Sequence, residues 1–163
     1  MKKVRIAING FGRMGRLAMR QAFDWNEIEV VHINETATDA VGSAHLLNFD
    51  SAHGRWQHEA VAKGSHIMVN GQAISYSNNH NIADTDWASL ELDVVIEATG
   101  EFRTKESLQP YLDQGVKQVI VAAPMKENIK NIVMGINDDV FIANQDPIIT
   151  AASCTTNCIA PVI

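Results

Sequence analysis

Apolar positions along the chain alternate between two textures. Val4 to Ile8 is a short run broken only by Arg5 and closed by Asn9 and Gly10, as a buried strand running into a turn should be. From Met14 the pattern changes: Leu17, Ala18, Gln21 and Ala22 return at helical spacing. A second apolar run, Ile28 to Ile33, then stops at the polar Asn34 and Glu35. Ala40 to Phe49 reads as another helix, with Ala44, Leu46 and Leu47 on or near one face, followed by a turn around Asp50, Ser51 and Gly54. Ile67 to Val69 and Ala73 to Tyr76 flank Asn70 and Gly71, a dipeptide tolerant of positive φ, which predicts a small antiparallel hairpin excursion. The strand texture resumes at Asp93 to Ile96 and leads into the loop Glu97, Ala98, Thr99, Gly100. Thr104, with Glu106 in the first turn, starts a helix that runs to Gln114 and stops at Gly115. Val119 to Ala122, Ile132 to Met134 and Ile148 to Ala152 supply three more short strands, the last introduced by Pro147, where a missing N–H costs little. Six parallel strands plus a hairpin predict an α/β, doubly wound, mostly parallel sheet.

Composition agrees with one folded unit. The chain has 163 residues, 46% apolar and 20% charged, with 4 Pro and 10 Gly, which excludes disorder and low complexity. No repeat, charge block or flexible linker marks an internal boundary. Nineteen acidic residues against thirteen basic ones leave a net charge of -6, which argues against nucleic acid as partner. No apolar run reaches the roughly 18 residues of a membrane span, and Met1, Lys2, Lys3, Val4, Arg5 turns polar too soon for a secretory signal, so no membrane contact and a cytoplasmic location are expected. Cys154 and Cys158 alone build neither a disulfide framework nor a four-cysteine zinc site.

Chemistry concentrates at the two ends. Gly10, Gly12 and Gly15 form G-x-G-x-x-G between the first strand and the first helix, and Glu35 ends the second strand twenty residues after Gly15. This is the Rossmann-type context for a dinucleotide. Gly10 permits the tight turn, Gly12 lets backbone N–H groups approach a pyrophosphate, and Gly15 lets helix and strand pack closely. Glu35 would accept from the adenosine ribose hydroxyls and repel a 2′-phosphate, favouring NAD over NADP. Three glycines in an ordinary turn, with Glu35 a solvated strand end, are the plainer alternative. At the other end, Cys154 stands where a helix begins, a place that stabilises thiolate. It is either a nucleophile or core filler; Cys158, one turn later, is expected to be packed inside.

Ile8, Asn9, Gly10, Phe11, Gly12, Arg13, Met14, Gly15, Arg16 and Ala152, Ser153, Cys154, Thr155, Thr156, Asn157, Cys158 resemble the two signature stretches of phosphorylating glyceraldehyde-3-phosphate dehydrogenases. Asn34 and Glu35, His45 to Leu47, Asp50 to Arg55, and Ala98 to Gly100 also match in order, so the resemblance covers the chain. It implies that Gly10, Phe11, Gly12, Arg13 and Met14 wrap the NAD pyrophosphate, that Glu35 holds the adenosine ribose, and that Thr99, Gly100 and Phe102 line the adenine and nicotinamide side, with Gly15, Asn34 and Ala122 also among the cofactor-binding residues. It makes Cys154 the nucleophile, Ser153 and Thr155 hydroxyl donors to the phosphate of the acyl acceptor, and Asn157 a support of the cysteine turn. The implied partners are a phosphorylated aldehyde and inorganic phosphate, in a homotetramer.

Two positions depart from the family pattern. Glu35 replaces the usual Asp, as in erythrose-4-phosphate dehydrogenases of the same superfamily, and Ala122 replaces a frequent Ser. His32 to Glu35 with His53 to Trp56 is also similar to a bacterial subgroup that uses arsenate in place of phosphate. The family places its general-base His in a second domain after the cysteine, whereas His32, His45, His53, His58, His66 and His80 all precede Cys154 and read as surface or turn residues. Residues 1–153 are therefore expected to be an NAD-binding domain and 154–163 the start of the catalytic-cysteine helix, with the catalytic domain absent from this chain and the isolated chain only holding NAD.

Overall fold

The computed structural model describes residues 2–125, 128–143 and 145–163. Strand β1 (Val4–Asn9) runs into helix α1 (Arg13–Ala22), then β2 (Ile28–Asn34) and α2 (Ala40–Asn48). A two-stranded antiparallel turn of β3 (Phe49–Asp50) and β4 (Gly54–Arg55) leads to β5 (Ala60–Lys63), β6 (His66–Val69) and β7 (Gln72–Ser77). The second half adds β8 (Val94–Glu97), α3 (Lys105–Asp113), β9 (Gln118–Val121), β10 (Ile148–Thr150) and the short α4 (Cys154–Ile159). Eight strands form one sheet in the order β10-β9-β8-β1-β2-β7-β6-β5. The pairs β10–β9, β9–β8, β8–β1, β1–β2 and β2–β7 are parallel. The doubly wound, mostly parallel sheet predicted from the pattern is present.

Alternation along β1 sorts the core onto the two faces. Ile6 and Ile8 join Met19, Val30, Leu47, Ile67 and Ile74 in one cluster, while Ala7 joins Trp87, Val95, Leu108, Tyr111 and Val119 in the other. Caps place the helices: the Asp39 side chain accepts from Gly42 N at the start of α2, and Thr104 and Ser107 form a capping box at the start of α3. On α2, Ala44 and Leu47 are buried, but Leu46 faces out.

Three expectations need correction. The segment Ile132–Met134 is not a strand. The residue before it, Asn131, makes one parallel bridge to Thr150, and the chain then turns away, because the Asn137 side chain captures Val133 N at 2.7 Å and Asp138 captures Gly135 N at 2.6 Å. The sixth parallel strand is β7, the second arm of the hairpin, whose Ser75, Tyr76 and Ser77 continue alongside β2. The hairpin turns at Asn70 and Gly71 with φ of 49° and 83°, but it extends the sheet instead of leaving it, and β5 adds a third antiparallel strand that the pattern did not announce. The last strand stops at Thr150, two residues short of Ala152, where the backbone enters the left-handed region at φ 58°.

Candidate cofactor cleft and cysteine turn

Because β2, β1, β8, β9 and β10 are parallel and adjacent, their carboxyl ends share one edge of the sheet. Along that edge stand, in strand order, Glu35, the loop Gly10–Gly12, Thr99, Ala122 and Cys154. With neighbouring strands about 4.8 Å apart, the row from β2 to β10 spans about 19 Å. A cleft of about 210 Å³ opens at the ends of β2, β1 and β8, where the winding of the sheet reverses. Its walls include Asn9, Gly10, Gly12, Asn34, Glu35, Thr36, Ala37, Asn79, His80, Ala98, Thr99, Glu101 and Phe102.

Two of the loop glycines are required by contact. Gly10 has φ 87°, and a Cβ there would lie 2.5 Å from the backbone nitrogen of Thr99; a Cβ on Gly15 would collide with the carbonyl oxygen of Gly10. The β1–α1 loop therefore lies directly against the β8 loop and under the first turn of α1. Gly12 has open space where a Cβ would stand and caps the ten-residue α1 without a side chain, so that helix end is available to an anion. Glu35 reaches back into the loop: its Oε2 accepts from Phe11 N at 2.6 Å and its Oε1 from Ala37 N at 2.7 Å. Open glycine backbone, an uncapped helix start and a carboxylate at the second strand end fit a dinucleotide.

The other expected cofactor residues divide. Phe11 offers the cleft only backbone, since its ring is core at 1% exposure. Arg13 pairs with Asp50 at 3.3 Å, and Met14 is exposed. Phe102 lines the cleft, while Gly100 continues the turn at φ 75°. Ala122 follows β9, its N–H donating to the Glu97 carbonyl at 2.8 Å. Asn34 is 4% exposed and bonded on every side: its Nδ2 donates to Asn9 Oδ1 and to the Asn79 carbonyl, and its Oδ1 accepts from Ser77 Oγ and Asn79 N.

Beneath the cleft lies a buried polar cluster that motif reading passed over. Glu97, 1% exposed, accepts on Oε2 from Asn9 Nδ2 at 2.8 Å and Tyr111 OH at 2.7 Å. Its Oε1 accepts from Thr99 N at 2.9 Å and from the Thr99 hydroxyl. Burial pushes the Glu97 carboxyl above the usual carboxylate range, and the bonds from Thr99, Tyr111 and Asn9 pull it back. Burial, then the Glu97 charge, pushes the Tyr111 phenol well up. The available signal was an acid closing an otherwise apolar strand.

His32 corrects the expectation that every histidine is a surface or turn residue. It is 5% exposed within β2, bonded to Ser75 Oγ at 2.7 Å and Ser77 Oγ at 2.9 Å, with its ring edge-on to Trp87. Burial lowers its pKa to about 4.

At the far end of the row, Cys154 is the first residue of α4 and is exposed. Ser153 caps the helix, its Oγ accepting from Thr156 N at 3.0 Å and lying 2.8 Å from Thr155 Oγ1. Asn157 Nδ2 donates to the carbonyls of Ala151 and Ser153 at 2.7 and 2.9 Å, closing the turn. Cys158 is exposed too, against the expectation that it packs inside, because α4 buries none of its six residues. Among the described residues, no group of three or more His, Cys, Asp or Glu side chains could hold a metal ion, and no helix is long and apolar enough to cross a membrane.

Fold and cleft together define a Rossmann dinucleotide-binding domain. Comparison makes this specific: residues 4–105 match the family described as glyceraldehyde 3-phosphate dehydrogenase, NAD binding domain, and the chain belongs to that family. Its cofactor is NAD. The chain is 53% identical over 161 residues to glyceraldehyde-3-phosphate dehydrogenase 3 of Nostoc sp. (strain PCC 7120), covering 99% of this chain and 48% of that protein. It is 43% identical over 161 residues to glyceraldehyde-3-phosphate dehydrogenase 2 of Bacillus subtilis, covering 99% and 47%. It is 42% identical over 164 residues to the Mycoplasma pneumoniae enzyme, covering 99% and 48%. The chain thus spans about half the length of the curated relatives it matches.

Proposed function

We propose that this chain is the cofactor-binding part of a phosphorylating glyceraldehyde-3-phosphate dehydrogenase and that its Cys154 is the nucleophile. The observation that carries the reading is the row on the carboxyl edge of the sheet, which puts an acid, an open glycine loop and an exposed cysteine in sequence along about 19 Å. The backbone at Gly12 and Arg13 holds the pyrophosphate at the start of α1, and Glu35 holds the adenosine ribose. Thr99, Gly100, Phe102 and Ala122 continue the path toward Cys154. Bound NAD supplies a hydride acceptor at that end.

The sulfur of Cys154 adds to the aldehyde carbon of a phosphorylated aldehyde, and the backbone N–H of Cys154 faces the oxygen that gains negative charge. Loss of hydride from that carbon leaves the acyl group on Cys154 as a thioester. Inorganic phosphate, met by the hydroxyls of Ser153 and Thr155, takes the acyl group as an acyl phosphate and returns the thiolate. In this reading the general base comes from the domain that the family carries after the cysteine, and residues 1–163 by themselves hold NAD without turnover. The intact enzyme is a cytoplasmic homotetramer in this reading.

Titration calorimetry tests the cofactor half. NAD should bind at least about tenfold more tightly than NADP, about 1.4 kcal/mol, and Glu35→Ala should narrow the gap. Equal affinities for the two would remove Glu35 from the ribose. NADH formation by the full-length protein tests the chemical half: it should require Cys154, prefer glyceraldehyde 3-phosphate to erythrose 4-phosphate, and yield a stable acyl phosphate with phosphate but not with arsenate. Turnover retained in Cys154→Ser would refute the nucleophile.

A further inference from the structure

We propose that Glu97 is the positioning residue of the cofactor cleft: through Thr99 and Asn9 it clamps the β8 turn to the ends of β1 and β2, and so sets the affinity for the dinucleotide without touching it. The proposal rests on the reading of the cleft as the NAD site.

Four donors converge on one buried carboxyl. Asn9 Nδ2 and Tyr111 OH reach Oε2, while the backbone N–H and hydroxyl of Thr99 reach Oε1. The bonds from Thr99 and Asn9 continue into walls of the cleft. Thr99 Oγ1 in turn accepts from Glu101 N at 3.1 Å, so the carboxyl shapes the Thr99–Glu101 turn. Asn9 Oδ1 accepts from Asn34 Nδ2 at 2.7 Å, and Asn34 Oδ1 accepts from Asn79 N at 2.8 Å, so the same carboxyl reaches the wall at β2 and β7. Thr99, Glu101, Asn34 and Asn79 all line the cleft.

The arrangement suits a carboxyl group and no amide. An amide at position 97 keeps its oxygen toward Thr99, whose backbone N–H has no alternative role, and turns its NH2 toward Asn9 and Tyr111. The tyrosine hydroxyl rotates to accept. Asn9 must flip, and flipping points its NH2 at the NH2 of Asn34. The break therefore travels from β8 through β1 to β2, where the cleft is walled, while the apolar packing is untouched.

The test measures NAD affinity by calorimetry and amide hydrogen exchange by NMR in the chain and in Glu97→Gln. NAD should bind at least tenfold more weakly to the variant. The amides of Thr99 and Glu101 should exchange at least tenfold faster, while those of Val95 and Val119 inside β8 and β9 keep their protection. Tyr111→Phe tests the Oε2 side alone: it removes the hydroxyl that donates to Glu97 Oε2 and accepts from Asn9 Nδ2, leaves both Thr99 bonds to Oε1 in place, and should lower the urea midpoint while weakening NAD less than Glu97→Gln does. If Glu97→Gln fails to fold, Thr99→Val, which removes the hydroxyl that donates to Glu97 and accepts from Glu101 N, should show the same weakened binding together with the same faster exchange at Glu101. Glu97→Gln binding NAD as tightly as the wild type, or losing protection at Val95 together with Thr99, would overturn the proposal. A wild-type chain that binds no NAD would instead overturn the reading of the cleft, and the exchange at Thr99 would still report on the clamp.

Discussion

The cleft and the cysteine turn stand on one edge of one sheet, yet they are held by different kinds of contact. Around the cleft, the bonds join residues far apart in sequence: Asn9 to Glu97, Asn9 to Tyr111, Asn34 to Asn9, Glu35 to Phe11. Nearly all of the participating side chains are buried. Around Cys154, Ser153 bonds Thr156, and Asn157 bonds Ala151 and Ser153, all within six residues and all exposed. The cleft therefore exists only when the whole sheet is assembled, and damage to the backbone contact between its loops should reach stability and binding together. The cysteine turn is a local structure carried on β10, and damage there should reach chemistry with little effect on stability.

The largest expected effect is on the cleft side. Gly10→Ala introduces a left-handed alanine and drives a Cβ into the Thr99 backbone, with backbone rather than flexible side chain on both sides. Strain and overpacking together should lower urea stability by about 4 kcal/mol, and NAD binding should vanish with it. A stable Gly10→Ala chain that binds NAD would break the contrast.

Acid should also strike the cleft side. His32 has a folded pKa of about 4 against an ordinary 6.5, so the unfolded chain binds more protons between those values and stability falls as pH drops from 6.5 toward 4. The shift corresponds to about 3 kcal/mol by the usual conversion. Glu97 acts in the opposite sense, because its raised carboxyl takes up a proton in the folded state first. Urea unfolding of wild type and His32→Gln across this window isolates the histidine: the variant should lack the fall.

Smaller effects belong to the cysteine side. Asn157→Ala removes two exposed hydrogen bonds and should cost about 1 kcal/mol of urea stability, while strongly reducing Cys154-dependent turnover in the full-length protein. A stability loss above about 3 kcal/mol would mean that the turn supports more than itself. The smallest effect is expected for Ala152→Gly. Relief of a left-handed alanine at φ 58° opposes the greater chain entropy of glycine, and the two should cancel to within about 0.5 kcal/mol in the same measurement.

Much of this was legible in the chain. The periodicities located β1, α1, β2, α2, β8, α3, β9 and β10, because each is a short apolar run or an amphipathic stretch with its own stop signal. Gly10, Gly12, Gly15 and Glu35 were legible as a group, since strand, turn, helix and second strand follow one another within a few dozen residues. Ile132–Met134 misled because its apolar content is that of a strand; its fate turned on Asn137 and Asp138, whose side chains compete for the backbone donors a strand would have used. Cys158 misled because helical spacing tells which residues share a face and not whether anything covers it.

By itself, then, the sequence determined the element order, the dinucleotide loop and the cysteine motif, all of which rest on interactions within a short stretch of chain. Only the tertiary structure decided that β7 completes the parallel set, that His32 is buried between Ser75 and Ser77, and that Glu97 gathers Asn9, Thr99 and Tyr111 under the cleft. Those outcomes depend on strand order and on partners up to 102 residues apart, and burial is a property of what packs on a side chain, which no local pattern records.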